Sequence, residues 1–207
     1  MLLLFLIFVG PLLLYILIPS KGSLGELQVN VMHRIFLDEE IYFEINDVTI
    51  PTQTGTTQID HIIVSRFGIF VVETKNMSGW IFGSANQKYW TQSLPNRKKF
   101  KFQNPIHQNY GHLKALVDYL GIDESCFHSV IMFIGDSQFK TPMPENVVDN
   151  GYISFITSKK EVLMDDNEVR KIVSHINAGM LPKTSETRKF HIESLKRKHG
   201  NRVHGCR

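Results

Sequence analysis

The sequence predicts an α/β domain, a mixed sheet flanked by helices, preceded by one transmembrane helix. Three observations carry this prediction. The first 18 residues, MLLLFLIFVGPLLLYILI, hold no charged side chain. Downstream, short apolar runs rich in Val, Ile and Phe alternate with stretches of helical periodicity. No internal repeat or low-complexity linker interrupts that alternation.

The apolar run stands first. At 1.5 Å per residue it covers roughly 27 Å, close to the hydrocarbon thickness of a bilayer. No Lys or Arg precedes it and no small-residue cleavage motif follows it, which argues against a removable signal. Pro11 can kink it, as membrane helices tolerate. Lys21 and further basic residues lie on its C-terminal side, so the positive-inside bias puts the rest of the chain in the cytoplasm. Cys126 and Cys206 form no disulfide framework, which agrees. We therefore expect an anchor over residues 1–19 at the cell membrane, with 2–18 in the bilayer. A folded domain is expected over 20–181 and a basic tail over 182–207. About 185 residues are enough for one domain with a real core.

The domain reads as follows. Ser23-Leu24-Gly25-Glu26 fits a capping box, and Leu24, Leu27, Val31 and Ile35 form one helical face. Strands are expected near 41–50, 59–65 and 69–75, with shorter ones from Trp80 to Gly83 and from Tyr89 to Gln92. Asn104-Pro105 opens a second helix as cap and first residue. Its apolar stripe is Ile106, Leu113, Leu116, Val117 and Leu120, and Gly121 stops it. SVIMFIG (129–135) and YISFIT (152–157) read as buried strands. Asp166 or Asn167 caps a last helix running through Ile176. The sum is a two-sided α/β sandwich around a mixed sheet.

The stretch QIDHIIVSRFGIFVVETKN (58–76) carries the chemistry. It reads as a hairpin, yet it contains Asp60, Glu73 and Lys75, residue types that strand interiors exclude. If Arg66 and Phe67 form a two-residue turn, Ser65 faces Gly68 and Asp60 faces Glu73. Opposed residues share a face, with Cβ atoms roughly 4.5–5.5 Å apart. Lys75, two positions on, shares it too. A three-residue loop would instead send Asp60 to the other face unless a bulge restored it. Two carboxylates so placed repel, so one takes a proton or a cation sits between them. Oxygen donors of this kind suit Mg²⁺ or Mn²⁺, and a lysine beside them can orient water or stabilise charge on a phosphate. The plainer reading is a salt-bridged strand end, with Lys75 pairing Glu73 or Asp60.

Asp60, a twelve-residue gap and Glu73-Thr74-Lys75 resemble the D…(D/E)xK core of restriction-endonuclease-like nucleases. The ordered set of Gly25-Glu26, Gln58-Ile59-Asp60-His61, Glu73-Thr74-Lys75-Asn76 with Gly79, Trp90 and Asn104-Pro105 with Gln108 resembles the nuclease-related domain (NERD) family. The resemblance covers roughly residues 20–135. It implies the nuclease-like α/β fold, a role in DNA processing, and Mg²⁺ or Mn²⁺ as cofactor. It implies Asp60 and Glu73 as metal ligands and Lys75 as the catalytic lysine. Glu26 matches the acidic residue of the first helix, although the capping box explains it equally well. Gln92 and Gln108 match positions that can contact substrate. Ile59 stands where the wider superfamily has Pro.

The chain is mildly basic, with net charge +3 and pI near 8.8. The charge is uneven. RKKFKF (97–102) places Arg97, Lys98, Lys99 and Lys101 among phenylalanines, and the tail from Arg188 to Arg207 is basic. Both are solvated segments or phosphate contacts. His61 should point to the sheet face opposite Asp60, as a core or supporting histidine. His107 and His112 are five apart, a poor metal spacing. His191, His199, His204 and Cys206 lack the CxxC of a closed zinc site. The reading is a membrane-anchored, metal-dependent nuclease acting on nucleic acid, with DNA expected. The alternative is a non-catalytic module of the same fold that binds nucleic acid or protein.

Overall fold

The computed structural model describes residues 37–149 and 151–200. Strands β1 (Phe43–Thr52), β2 (Gly55–Ser65) and β3 (Gly68–Asn76) are followed by β4 (Gly79–Phe82), β5 (Tyr89–Ser93) and β6 (Lys99–Gln103). Helix α1 (Pro105–Leu120) leads to β7 (Phe127–Ile134), β8 (Ser137–Phe139) and β9 (Val147–Val148). Helices α2 (Tyr152–Ser158), α3 (Asp166–Gly179) and α4 (Ser185–Gly200) complete the described chain.

The main sheet has the order β1-β2-β3-β7-β9. β1, β2 and β3 are antiparallel, whereas β7 runs parallel to β3 and β9 parallel to β7, so the sheet is mixed. Strand alternation sends Ile69 and Val71 to one face and Phe70 and Val72 to the other. The first face packs against Leu113 and Leu116 of α1 and Val169, Ile172 and Ile176 of α3. The second packs against Tyr152 and Ile156 of α2. A smaller sheet, β6-β5-β4-β8, packs Ile81 and Trp90 onto Ile131 and Phe133 of β7. Gly83 permits this packing, because a Cβ there would lie 2.3 Å from the Trp90 ring. The α/β class and the flanked mixed sheet are therefore as expected.

Several elements differ from the sequence reading. YISFIT is a helix, not a strand. Tyr152 and Ile156, one helical turn apart, both reach the core, while Ser154, which a strand would place on the same face as both, is exposed. The Thr157 and Ser158 hydroxyls donate back to the carbonyls of Ile153 and Phe155 (2.8 and 2.7 Å). The cap of α3 is Asp165, not Asp166 or Asn167: Asp165 and Glu168 form a reciprocal capping box. RKKFKF supplies β6, and the basic tail supplies α4. Ser194 of α4 is fully buried, facing Gly55 and hydrogen-bonding distance from Thr56 Oγ1 (3.3 Å). Among the described residues no helix is long and apolar enough to cross a membrane. The apolar N-terminal run, the first helix and Glu26 lie outside the described residues.

Candidate active site

The β2–β3 connection is the two-residue turn Arg66-Phe67, with Ser65 opposite Gly68. The Phe67 N–H donates to Ser65 Oγ (3.1 Å) and fixes it. The ladder runs to His61 opposite Val72, and one further step places Asp60 opposite Glu73. Backbone pairing stops there. The Asp60 side chain takes over, as Oδ2 accepts the Thr74 N–H at 2.8 Å. On the other side, the β1–β2 pairing omits Asp47, the residue facing Asp60, and Asp47 has a left-handed φ of 48°. Ile59 and Ile62 consequently face the same core. The pleat is interrupted at Asp60, which lets its carboxyl turn toward β3.

Glu73 is only 3% exposed. Lys75 Nζ donates to its Oε1 at 2.5 Å and to Gln108 Oε1 at 3.0 Å. Gln108 Nε2 donates to the same Glu73 oxygen at 2.7 Å. His112 Nε2 stands 3.4 Å from Glu73 Oε2, and its Nδ1 is 2.6 Å from Thr57 Oγ1. The last two partners come from α1, whose placement is built into its first residues. The Asn104 side chain accepts the Ile106 N–H, and its amide donates to the carbonyls of Ser84, Ala85 and Gln87. One turn on, buried Asn109 donates to Val71 O and Ser129 Oγ, pinning the helix across β3 and β7. Gln108 then faces Glu73, and His112, four residues later, lies on the same helix face.

The two carboxyls titrate in opposite directions. Burial pushes Asp60 up and the Glu73 charge adds to it; the Thr74 amide, His61 and Lys75 offset only part. Burial also works against ionisation of Glu73, but His112 and Lys75 outweigh it and hold that carboxyl below its ordinary value. The arrangement is one ionised, anchored carboxylate beside one carboxyl held toward its neutral form.

Of the residues singled out from sequence, Asp60, Glu73, Lys75 and Gln108 come together. Gln92 does not join them, because its Nε2 donates to the Ser78 carbonyl (2.8 Å). Arg97 (φ 62°) and Lys98 lie at the β5–β6 turn; with Lys99 and Lys101 they are exposed on the small sheet. His61 is buried, with Nδ1 against Asn46 Oδ1 and Glu44 Oε1. His191 Nδ1 lies 2.9 Å from Thr56 Oγ1, while the side chains of His199, His204 and Cys206 lie outside the described residues. His112 and Thr57 were missed; the i, i+4 relation of Gln108 and His112 was the available signal. Among the described residues no group of three or more His, Cys, Asp or Glu gathers as a metal cluster. The donor set on offer is the pair Asp60 and Glu73.

The fold and this site define a nuclease-like α/β domain. The chain belongs to the NERD (nuclease-related domain) family, a PD-(D/E)xK-like nuclease family, whose model matches residues 21–134. An uncharacterized protein of Bacillus anthracis is 52% identical over 97 residues, covering 46% of this chain and 45% of that protein. The match thus spans less than half of that relative's length. No solved structure matches the chain.

Proposed function

We propose that this protein is a divalent-metal-dependent nuclease of the PD-(D/E)xK type, hydrolysing phosphodiester bonds of nucleic acid, with DNA as the expected substrate. One observation carries the reading: Asp60, Glu73 and Lys75 meet at one end of the β2–β3 hairpin. The donors fit Mg²⁺ or Mn²⁺. Both are hard oxygen ligands; burial first, and the Glu73 charge second, raise the proton affinity of Asp60, and a cation between the two carboxyls would relieve the second of these. Asp60 and Glu73 are the residues to hold it. When bound, such an ion stabilises negative charge developing on a phosphate.

The chain's own groups do the rest. The Thr74 amide fixes Asp60 Oδ2. Gln108 holds Glu73 from α1 by a hydrogen bond and His112 Nε2 stands 3.4 Å from it, so its position does not depend on Lys75 alone. The Lys75 side chain is one-fifth exposed and can swing to a phosphate oxygen or an attacking water, where its charge-assisted hydrogen bond favours the transition state. Glu26 is assigned as an accessory acid on its motif position. Gln92, Arg97, Lys98, Lys99 and Lys101 are assigned to substrate binding. Residues 2–18 are proposed as a single-pass anchor with the domain of 20–181 in the cytoplasm, supported by the uncharged run and the basic residues after it.

The test is metal titration of the full-length protein with labelled single- and double-stranded DNA and RNA, beside Lys75→Ala. Cleavage should require Mg²⁺ or Mn²⁺ and fall by roughly 10²–10³ in the variant. A second reading, a non-catalytic binding module, is favoured by the full engagement of Glu73 by Lys75, Gln108 and His112. It predicts binding without cleavage, indifferent to divalent ions and to Asp60→Asn.

A further inference from the structure

We infer that the outer face of the small sheet is a stacking platform for single-stranded nucleic acid, an inference that rests on the nucleic-acid reading above. Alternation divides this sheet, although Phe100, in the inner row with Ile81 and Gln92, is also half exposed on the edge strand β6. Ile81, Trp90 and Phe102 point inward to the core. Trp80 and Phe82 of β4 and Tyr89 of β5 point outward and are 52%, 36% and 51% exposed. The register places lysines in the same rows. Trp80 pairs with Ser93 and Ser93 with Lys99; Phe82 pairs with Thr91 and Thr91 with Lys101. Two more cations flank the aromatics, Lys140 Nζ at 5.1 Å from the Trp80 ring centre and Lys88 Nζ at 5.4 Å from that of Tyr89.

Scattered exposed aromatics are ordinary; three on one face of one small sheet, interleaved with lysines, are not. The charge is one-sided. From Thr74 to Val117 the sequence has no Asp or Glu, while it has Lys75, Lys88, Arg97, Lys98, Lys99, Lys101 and Lys114. Such a face complements phosphates. Lys99 and Lys101 lie two strands, about 10 Å, from Trp80 and Phe82 and one strand from Tyr89, so a base on a ring leaves its backbone within their reach. A duplex keeps its bases stacked on one another and offers no ring to Trp80 or Tyr89. Unpaired bases do, and base–aromatic stacking tolerates any sequence.

The test uses the full-length protein without divalent ions, so that binding is read apart from cleavage. Labelled oligo(dU), oligo(rU) and a blunt duplex are titrated by anisotropy at several salt concentrations. Trp80→Ala and Tyr89→Ala should each weaken single-strand binding about tenfold, while duplex binding is unmoved. Trp80→Phe, which keeps a stacking face, should retain most of the affinity and exclude misfolding as the cause. Lys99→Ala and Lys101→Ala should each flatten the salt slope by about 0.7. Whichever oligonucleotide binds tighter assigns the sugar. Single-strand affinity equal in wild type, Trp80→Ala and Tyr89→Ala, or duplex affinity falling in parallel, overturns the platform. Cleavage by wild type in Mn²⁺ is measured in parallel. Trp80-dependent binding without cleavage defeats the catalytic reading and leaves the platform standing; cleavage with Trp80-independent binding does the reverse.

Discussion

Asp60 makes folding, and with it the proposed cation binding, depend on pH in a way that can be measured. Its folded-state pKa is raised by burial and by Glu73, so the folded state binds the proton more tightly than the unfolded chain does. Stability contributed by this group is therefore present below the ordinary Asp value and lost as pH rises through the raised value. Asp60→Asn keeps an oxygen for the Thr74 amide and removes the charge. Without divalent ions it should raise the Tm at neutral pH, and the gain should vanish on acidification below the ordinary Asp range. Mn²⁺ should raise the Tm of the wild type and not of the variant. Equal melting at neutral pH would show that Asp60 is not charged against its surroundings. Glu73 has the opposite sign: its contribution is present above the ordinary Glu value and lost as pH falls through the depressed one. His112 supports that depression and also meets Thr57. His112→Ala leaves the buried Thr57 hydroxyl without this partner and should lower stability by about 1–3 kcal/mol in urea unfolding.

Helix α1 is the element that converts a strand-end ion pair into a four-residue network. Its Asn104 cap does two jobs, satisfying the Ile106 N–H and gathering three carbonyls of the β4–β5 loop. Asn104→Ala should lose the cap and leave those carbonyls without this donor, a cost of about 1–3 kcal/mol. Because the same turn carries Gln108, activity should fall along with thermal stability. A variant that melts early but cleaves normally would show that the cap does not position Gln108. The hairpin matters as much. One residue inserted into the Arg66-Phe67 turn would send Asp60 to the opposite face, since side chains alternate with period two.

The molecule as a whole is layered, with α1 and α3 on one face of the main sheet, α2 on the other and the small sheet packed against β7. Its proposed tether is testable apart from its chemistry. Leu13→Arg would cost roughly 2.5–3.5 kcal/mol near the bilayer centre. For a run of 18 uncharged residues, that should shift much of the protein to the soluble fraction. Protease added outside intact spheroplasts should leave the domain whole. Wild-type protein in the soluble fraction, or a digested domain, would remove the tether and weaken the cytoplasmic placement.

Local chemistry was readable from the chain. The turn at Arg66-Phe67, the opposition of Asp60 and Glu73, the Asn104 cap and the stop at Gly121 each depend on a few neighbouring residues and a fixed period. Interactions between distant elements were not. Gln92 and Gln108 looked alike as polar residues at family positions, yet one bonds to Ser78 and the other to Glu73, 35 residues away. His112 meets Thr57 across 55 residues, and Ser194 meets Thr56 across 138. YISFIT had the composition of a strand and became a helix: Tyr152 and Ile156 pack into the core while Ser154 between them stays exposed, a pattern that fits a helical turn and not strand alternation. Backbone register follows from near neighbours; which side chains share a pocket follows from how layers pack, and packing is settled by the sum of many distant apolar contacts that no short segment carries.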